Sequence, residues 1–272
     1  MKKIPLWLVS FSLMANGLLI LAIVYVAYRQ ILPQAIATDN PSETSQLTDA
    51  DSPGAGSGSR LELSYQEWLD ILTTEAKVIA ERDVDNVAVL LGDSLSQWFP
   101  PELLPRDLEW LNQGISGEGS VGLLRRLRII DDTDPQWIFV MIGINDLIRG
   151  EAEETLVANQ LEIVRSLKQS HPNSKILLQS ILPHSDERST WERRDLLLAI
   201  PNSKIQKIND RLKIIAREEK IDYLDLYPLF ADAQGNLKLS LTTDGLHLSP
   251  QGYQVWSVAL QVFLQVRSSP TN

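Results

Sequence analysis

The stretch Val87–Leu95 constrains the fold of this chain more than any other. It reads Val-Ala-Val-Leu-Leu-Gly-Asp-Ser-Leu, so five apolar residues run without alternation and stop at a Gly-Asp-Ser turn. A short, valine-rich apolar run of this kind is typical of a strand that is buried on both faces of a sheet. Ser94 then lies just beyond the carboxyl end of that strand, at the edge where open α/β sheets bind ligands.

The rest of the chain alternates between strand and helix patterns and carries no hairpin signal. Further strands are predicted at 110–113, 135–143, 175–182 and 223–226, and helices at 61–82, 120–130, 151–170, 201–220 and from Ser249-Pro250 onward. Such alternation predicts a parallel sheet with right-handed crossovers and helices on both faces. We therefore expect a single α/β domain over residues 61–272.

The N-terminal segment predicts a membrane anchor. From Ile4 to Tyr28, 25 residues run without one charged side chain. As a helix they span roughly 37 Å, which is enough to cross a bilayer core. Two lysines precede the run and acidic residues dominate after it, so residues 1–32 are predicted to be a transmembrane helix with a cytoplasmic N-terminus and an extracytoplasmic domain. The alternative is a signal peptide cleaved near Ala37, for which the apolar run is long.

Residues 33–60 are predicted to be a flexible linker, because they are rich in Pro, Ser, Thr, Asp and Gly and carry few apolar side chains. The chain has a net charge of −10, and its first 32 residues hold three basic and no acidic residues, so the remainder carries −13. An acidic body of this kind argues against nucleic acid as a partner. The absence of cysteine excludes disulfides and thiolate metal sites.

Asp244 and His247 lie three residues apart in the loop that is predicted to lead into the last helix. Residues at this spacing face the same way in a helical turn or a tight loop. The carboxylate can then accept a hydrogen bond from one imidazole nitrogen while the other nitrogen faces a serine hydroxyl. Taken alone, the pair is better explained as a capping aspartate and a surface histidine.

Candidate oxyanion donors follow two other predicted strands. Gly117 presents an N–H group that no side chain shields, and Asn145 offers a neutral amide. The N–H of Ser94 itself is a third donor. Each also has a purely structural explanation, since glycine permits a positive φ and asparagine caps helices.

Together these groups resemble, in four ordered blocks, the SGNH hydrolases, which are also called the GDSL esterase/lipase family. The blocks are Gly92-Asp93-Ser94-Leu95, Asn112-Gln-Gly114-Ile-Ser-Gly117, Gly143-Ile-Asn145-Asp146 and Asp244-Gly-Leu-His247. The resemblance covers roughly residues 87–253, and no block departs from the family pattern at a catalytic position. It implies a flavodoxin-like, three-layer α/β/α sandwich with a five-stranded parallel sheet, and no cofactor.

The resemblance also implies a role for each matching residue. Ser94 is the expected nucleophile, His247 the general base and then acid, and Asp244 its orienting partner. The N–H groups of Ser94 and Gly117 and the amide of Asn145 form the expected oxyanion hole.

The expected activity is hydrolysis of a carboxylic ester through an acyl-serine. The substrate is a lipid, an acylated carbohydrate or a small acyl ester. The alternatives are an acyltransferase that passes the acyl group to a sugar hydroxyl, and a binding module without turnover. Asp93 and Asp146 are expected to fix their loops through hydrogen bonds to the backbone.

Other motifs carry weaker signals. Residues 117–122 fit Gly-x-Gly-x-x-Gly, but they follow the second predicted strand, which disfavours a dinucleotide site. No Gly-x-Ser-x-Gly elbow surrounds Ser94, so the α/β-hydrolase fold is not supported. His171 and His184 are interpreted as surface residues without a metal.

Two segments near the predicted site remain open to more than one interpretation. Trp98 and Phe99 are expected to pack in the core, with the rim of an acyl pocket as the alternative for this pair. The charged run Asp186–Arg194 is interpreted as a solvated segment, with a lid over Ser185–Leu198 as the alternative.

Overall fold

The computed structural model describes residues 63–82 and 84–268. These residues lie within one unit, Ser57–Asn272. The predicted membrane anchor (1–32) and linker (33–60) fall outside the described residues. Among the helices that are described, none combines the length and apolar character needed to cross a bilayer.

The structure has five strands and nine helices over the described residues, apart from short 3-10 turns. The strands are β1 (Val87–Gly92), β2 (Glu109–Gly114), β3 (Trp137–Met141), β4 (Lys175–Gln179) and β5 (Asp222–Leu224). The helices are α1 (Tyr65–Glu81), α2 (Ser94–Gln97), α3 (Ser120–Arg126), α4 (Ile144–Ile148), α5 (Glu153–Ser170), α6 (Arg194–Leu198), α7 (Asn202–Glu219), α8 (Tyr227–Phe230) and α9 (Pro250–Ser268).

All five strands are parallel, in the order β2-β1-β3-β4-β5. The predicted parallel five-stranded sheet is therefore confirmed. The strand order reverses at β1, whose neighbours are β2 and β3, and this reversal creates a crevice at the carboxyl ends of the three strands. Ser94 follows β1, Gly117 follows β2 and Asn145 follows β3, so the three residues lie around that crevice.

The sheet is covered on both faces, which completes the three layers. Side chains of β1 alternate between two cores: Val89 and Leu91 join the core beneath α1, α3, α5 and α7, whereas Ala88 and Leu90 join the core beneath α9. This alternation is what the pleat of a strand requires. Every residue of β1 is buried, as the unbroken apolar run predicted.

The structure differs from the sequence-based prediction mainly at the ends of elements. The third and fourth strands end earlier than predicted, at Met141 and Gln179. The predicted helix 120–130 is a short α-helix followed by a 3-10 turn, Leu127–Ile130. Helices α2, α4, α6 and α8 were not predicted, because four or five residues are too few to show a helical period.

Gly92 is the last residue of β1, and the neighbouring backbone and side chains leave no room there for a Cβ atom. A Cβ atom built there would overlap with the carbonyl oxygen of Met141 in β3 and with the Ser96 hydroxyl. The Met141 carbonyl belongs to the paired sheet and cannot retreat. Gly92 therefore permits the close approach that holds Ser94 at the edge of the sheet.

We expect Gly92→Ala to lower the free energy of unfolding by about 2 kcal/mol or more, because the added methyl overpacks a rigid backbone. Urea denaturation measures the change. Gly150→Ala is the control, since an added Cβ there would meet nothing within 4 Å and the only cost would come from placing alanine at a φ of +78°. Equal losses in the two variants would contradict the steric explanation.

Candidate functional site

Ser94 is held at the start of α2 by the residue that precedes it. Asp93 is the N-cap of α2, and its carboxylate accepts a hydrogen bond from the Leu95 N–H at 3.0 Å. Asp93 is 1% exposed and Ser94 is 7% exposed. The expected role of Asp93, a carboxylate that fixes the turn through the backbone, is confirmed.

Asp244 and His247 form a direct side-chain pair. Nδ1 of His247 lies 2.7 Å from Oδ2 of Asp244. The other carboxylate oxygen of Asp244 accepts the N–H groups of Leu246 and His247, at 2.9 and 2.8 Å. The two backbone N–H groups therefore hold the carboxylate, which in turn holds the imidazole through Nδ1 and leaves Nε2 outside the pair.

Trp98 connects the Asp244–His247 pair to Ser94, because it contacts both His247 and the Ser94 backbone. The Trp98 and His247 rings lie 4.4 Å apart between centroids, tilted by 31°. Trp98 is one turn beyond Ser94, and its N–H donates to the Ser94 carbonyl at 3.0 Å. His247 also acts electrostatically on the Asp93 carboxyl group. The imidazole thus lies beside the segment that carries the predicted nucleophile.

Within the described residues, no hydrogen bond joins the Ser94 hydroxyl to His247. The structure brings Asp244 and His247 together and sets them against α2, but the last contact of the predicted triad stays a prediction. Catalytic hydrogen bonds are often long or poorly aligned before substrate binds, so the lack of this bond does not argue against the pairing.

The two predicted oxyanion donors from other strands also lie close together. Nδ2 of Asn145 donates to the carbonyl of Glu118, the residue after Gly117, at 3.1 Å. Gly117 has a φ of +75°, and open space surrounds the position of its missing Cβ. Among the described residues, neither the N–H of Gly117 nor that of Ser94 donates a hydrogen bond to the protein. Their role as oxyanion donors stays a prediction.

The glycines of the Gly-x-Gly-x-x-Gly segment make room for protein side chains. A Cβ on Gly119 would lie 2.7 Å from Nη1 of Arg149, and one on Gly122 would lie 2.8 Å from Cγ of Glu118. Arg149 also donates to the Gly117 carbonyl. The pattern therefore has a structural reason that does not involve a dinucleotide.

Asp146 joins the loops that follow β2 and β3. Its carboxylate accepts the N–H of Ser120 at 2.9 Å and the Ser120 hydroxyl at 2.5 Å. Burial raises the pKa of Asp146, although the Ser120 bonds oppose the shift. The expected structural role of Asp146 is confirmed.

The charged run Asp186–Arg194 faces solvent in part and also binds the backbone of Asp244. The hydroxyl of Ser189 and the N–H groups of Thr190 and Trp191 all donate to the Asp244 carbonyl, at 2.8 to 2.9 Å. The charged side chain of Arg188 is exposed and pairs with Asp186 and Asp232. This segment therefore fixes the backbone of Asp244, a role that its polar composition did not reveal.

The electrostatics keep Asp244 ionised. Burial works to raise the pKa of Asp244, but the hydrogen bonds from the His247 ring and from the backbone N–H groups of His247 and Leu246 outweigh it. The pKa of Asp244 is therefore lowered. An ionised carboxylate at this position stabilises a protonated imidazole.

Two sequence-based interpretations of aromatic and histidine residues are wrong. His171 and His184 are buried, at 5% and 3% exposure, and the His184 ring nitrogens face the carbonyls of Ser185 and Ile200. Trp98 does not pack in the core, since it is 42% exposed, whereas Phe99 is buried as expected. In the described part of the chain, no group of three or more His, Asp or Glu side chains is placed to hold a metal ion.

A cavity of about 550 Å³ opens beside Gly117. Its wall includes Tyr65, Val121, Arg125 and Arg149. This volume is in the range of small-molecule sites. The sequence did not predict the cavity, because its wall joins α1 to the loops that follow β2 and β3.

Comparison with known proteins identifies the family of this chain. Residues 51–255 match the model of the GDSL-like Lipase/Acylhydrolase family. The chain belongs to this family. A GDSL-like lipase from Bacteroides thetaiotaomicron has the same fold, with a TM-score of 0.64 and 22% identity over 73% of this chain and 98% of that one.

Curated relatives of this GDSL-like chain match over shorter stretches. It is 28% identical over 126 residues to an N-acylneuraminate cytidylyltransferase of Streptococcus agalactiae, which is 46% of this chain and 27% of that protein. It is 27% identical to an arylesterase of Vibrio mimicus over 37% of this chain and 58% of the relative. It is 24% identical to an isoamyl acetate-hydrolyzing esterase of Saccharomyces cerevisiae over 56% and 66%. The matches thus span between about a quarter and two thirds of these relatives' lengths.

The buried Asp93 predicts a pH dependence of stability. Burial raises its pKa to about 7, against the Leu95 hydrogen bond. From about pH 4 to 7, the native chain therefore binds more protons at this group than the unfolded chain does. Its contribution to the free energy of unfolding consequently falls as the pH rises, by at most about 1.4 kcal/mol per pH unit.

We expect Asp93→Asn to remove this fall, because the amide oxygen can still accept the Leu95 N–H and carries no charge. Denaturant titrations of both proteins between pH 4 and 8 measure the difference. The exposed Asp132→Asn variant controls for the loss of one carboxylate. Parallel curves for wild type and Asp93→Asn would contradict the assignment.

Proposed function

We propose that this chain hydrolyses carboxylic esters through an acyl intermediate on Ser94. The observation that carries the proposal is the Asp244–His247 pair, whose imidazole lies against Trp98 at the end of α2. Membership of the GDSL-like family supports the same reaction class. The similarity to an arylesterase and to an isoamyl acetate-hydrolyzing esterase also supports ester hydrolysis.

In the proposed first half-reaction, Oγ of Ser94 attacks the ester carbonyl carbon and its proton passes to Nε2 of His247. The carbonyl π electrons move onto oxygen, which accepts hydrogen bonds from Ser94 N–H, Gly117 N–H and the Asn145 amide. Collapse of this intermediate breaks the ester C–O bond, and the leaving alcohol takes the proton from His247. An acyl-serine remains.

In the second half-reaction, water attacks the acyl-serine and passes its proton to His247. Collapse releases the carboxylic acid and returns the proton to Ser94 Oγ. Asp244 holds the imidazole in the tautomer that leaves Nε2 ready to accept a proton, and stabilises the imidazolium. No cofactor is needed for either step, because the oxyanion donors and the imidazole supply the charge stabilisation and the proton transfer.

The proposed substrate is a lipid, acylated-carbohydrate or small-molecule ester. The cavity that opens beside Gly117 is lined by neither Ser94 nor His247, so it is proposed to hold only a part of the substrate away from the ester bond. The cavity wall combines apolar Leu69 and Val121 with the charged Arg125. That mixture does not select one substrate class, so a panel of esters is the direct way to define the acyl preference.

We also propose that residues 1–32 anchor the chain in a membrane, with the domain on the extracytoplasmic side. The charge-free run of 25 residues and the lysines before it support this topology. A protease added outside intact cells should release the domain. Protection of the domain until the cells are lysed would contradict the orientation.

Removal of the nucleophile tests the proposal. The purified full chain should turn over p-nitrophenyl esters, and Ser94→Ala should reduce kcat to the background rate. Asn145→Ala should lower kcat on the order of 10²- to 10³-fold with a smaller change in KM, because the amide acts on charge that develops in the transition state. An active Ser94→Ala variant would overturn the mechanism.

The ester panel also distinguishes hydrolysis from its alternatives. A graded series of acyl chain lengths should give a maximum in kcat/KM, and added sugar acceptors should leave the rate of p-nitrophenol release unchanged. A strong rate increase with acceptor would favour an acyltransferase. No turnover, together with no labelling of Ser94 by an organophosphate, would favour a binding module.

A further inference from the structure

A buried ion pair lies directly after Gly117 and takes no part in the proposed chemistry. Nε of Arg126 donates to both carboxylate oxygens of Glu118, at 2.9 and 2.8 Å, and Nη2 donates to Oε2 at 2.6 Å. The side chains are only 3% and 2% exposed. Glu118 and Arg126 therefore form a closely bonded pair that is shielded from solvent.

Two further contacts tie this pair to neighbouring elements. Nη2 of Arg126 donates to the carbonyl of Gln113 in β2 at 2.7 Å. The hydroxyl of Tyr65, the first residue of α1, donates to Oε1 of Glu118 at 2.9 Å. Burial and the neighbouring Glu118 raise the pKa of Tyr65 to about 12, so Tyr65 remains a donor at neutral pH. Glu118 is thus held directly by Arg126 of α3 and Tyr65 of α1, and indirectly by β2, which binds Arg126.

The backbone of Glu118 contacts the oxyanion hole. Its carbonyl accepts one hydrogen of the Asn145 amide, with Nδ2 at 3.1 Å from the oxygen. An amide nitrogen carries two hydrogens, so the second remains for a ligand, in a direction set by the first. Glu118 thus binds one hydrogen of the Asn145 amide, and it also follows Gly117 directly.

Stability alone does not explain the pair. The cost of removing two charges from water is large, and a buried ion pair is often no more stabilising than apolar residues of similar size. An ion pair does, however, fix its two groups in one geometry, because leaving either charge unpaired is costly.

We propose that Glu118 is a positioning residue, which Arg126 and Tyr65 hold so that its carbonyl orients the Asn145 amide and its backbone sets the Gly117 N–H. This proposal rests on the proposed ester hydrolysis. It assigns a role to the first turn of α1, which would otherwise only cover the sheet.

The test combines an apolar replacement of the pair with a double-mutant cycle in the full chain. Glu118→Leu/Arg126→Met removes both charges together, so no buried charge is left unpaired. We expect kcat to fall roughly 10-fold or more while KM changes less than about 2-fold, since a misplaced donor weakens transition-state stabilisation. In an Asn145→Ala background the same replacement should change kcat by less than about 3-fold, because both changes act through one group.

Tyr65→Phe provides a second variant that removes a single hydroxyl, in case the double replacement does not fold. It should lower kcat by about 3-fold, because the variant loses one hydrogen bond to the Glu118 carboxylate. The effect is small because Glu118 acts on the reaction only through Asn145. Tyr223→Phe is the matched control, because the Tyr223 hydroxyl donates to the Asn209 carbonyl at 3.2 Å, away from the site. Thermal denaturation checks that each variant is folded.

The outcomes separate this proposal from the proposed function. If the wild type hydrolyses esters and Ser94→Ala does not, but a folded pair replacement or Tyr65→Phe keeps full kcat, the positioning role is wrong and the hydrolase stands. If the fold-loss in kcat from the pair replacement is the same in the Asn145→Ala background as in the wild type, the positioning role is also wrong. If the wild type turns over no ester and Ser94 is not labelled, both proposals fail.

Discussion

The structure depends on the pairing of β1 with β2 on one side and β3 on the other. Because all three strands are parallel and in register, Gly92 lies opposite both Gly114 and Met141. The three strands therefore end at the same level of the sheet, and the segments that follow them carry Ser94, Gly117 and Asn145. A shift of one residue in either pairing would move one of these loops along the sheet and turn its strand to the wrong core.

The sequence predicts this arrangement well where the chain is buried and regular. The unbroken apolar run of β1 and the glycine that ends it locate Ser94, and Asp244-x-x-His247 predicts a contact that is local in the chain. The structure confirms that contact. Short helices such as α2 and α4 escape prediction, because their residues are set by close packing against the sheet rather than by a repeating apolar pattern.

Contacts between distant segments are the part that the sequence does not reveal. Ser189 supports Asp244 from 55 residues away, and Arg149 reaches the Gly117 carbonyl from 32 residues away. Arg126 is instructive, since it shares a helix face with the buried Leu123 and Leu127, and a charge on an apolar face indicates a buried partner. That signal predicts that a partner exists, but only the fold identifies it as Glu118.

The most direct test of the central claim is a crystal structure of the full chain after reaction with diethyl p-nitrophenyl phosphate. The account predicts phosphorus bonded to Oγ of Ser94, with the phosphoryl oxygen within hydrogen-bond distance of Gly117 N–H and Asn145 Nδ2. It also predicts Nε2 of His247 beside the adduct. Phosphorus on another residue, or an imidazole turned away from the adduct, would contradict it.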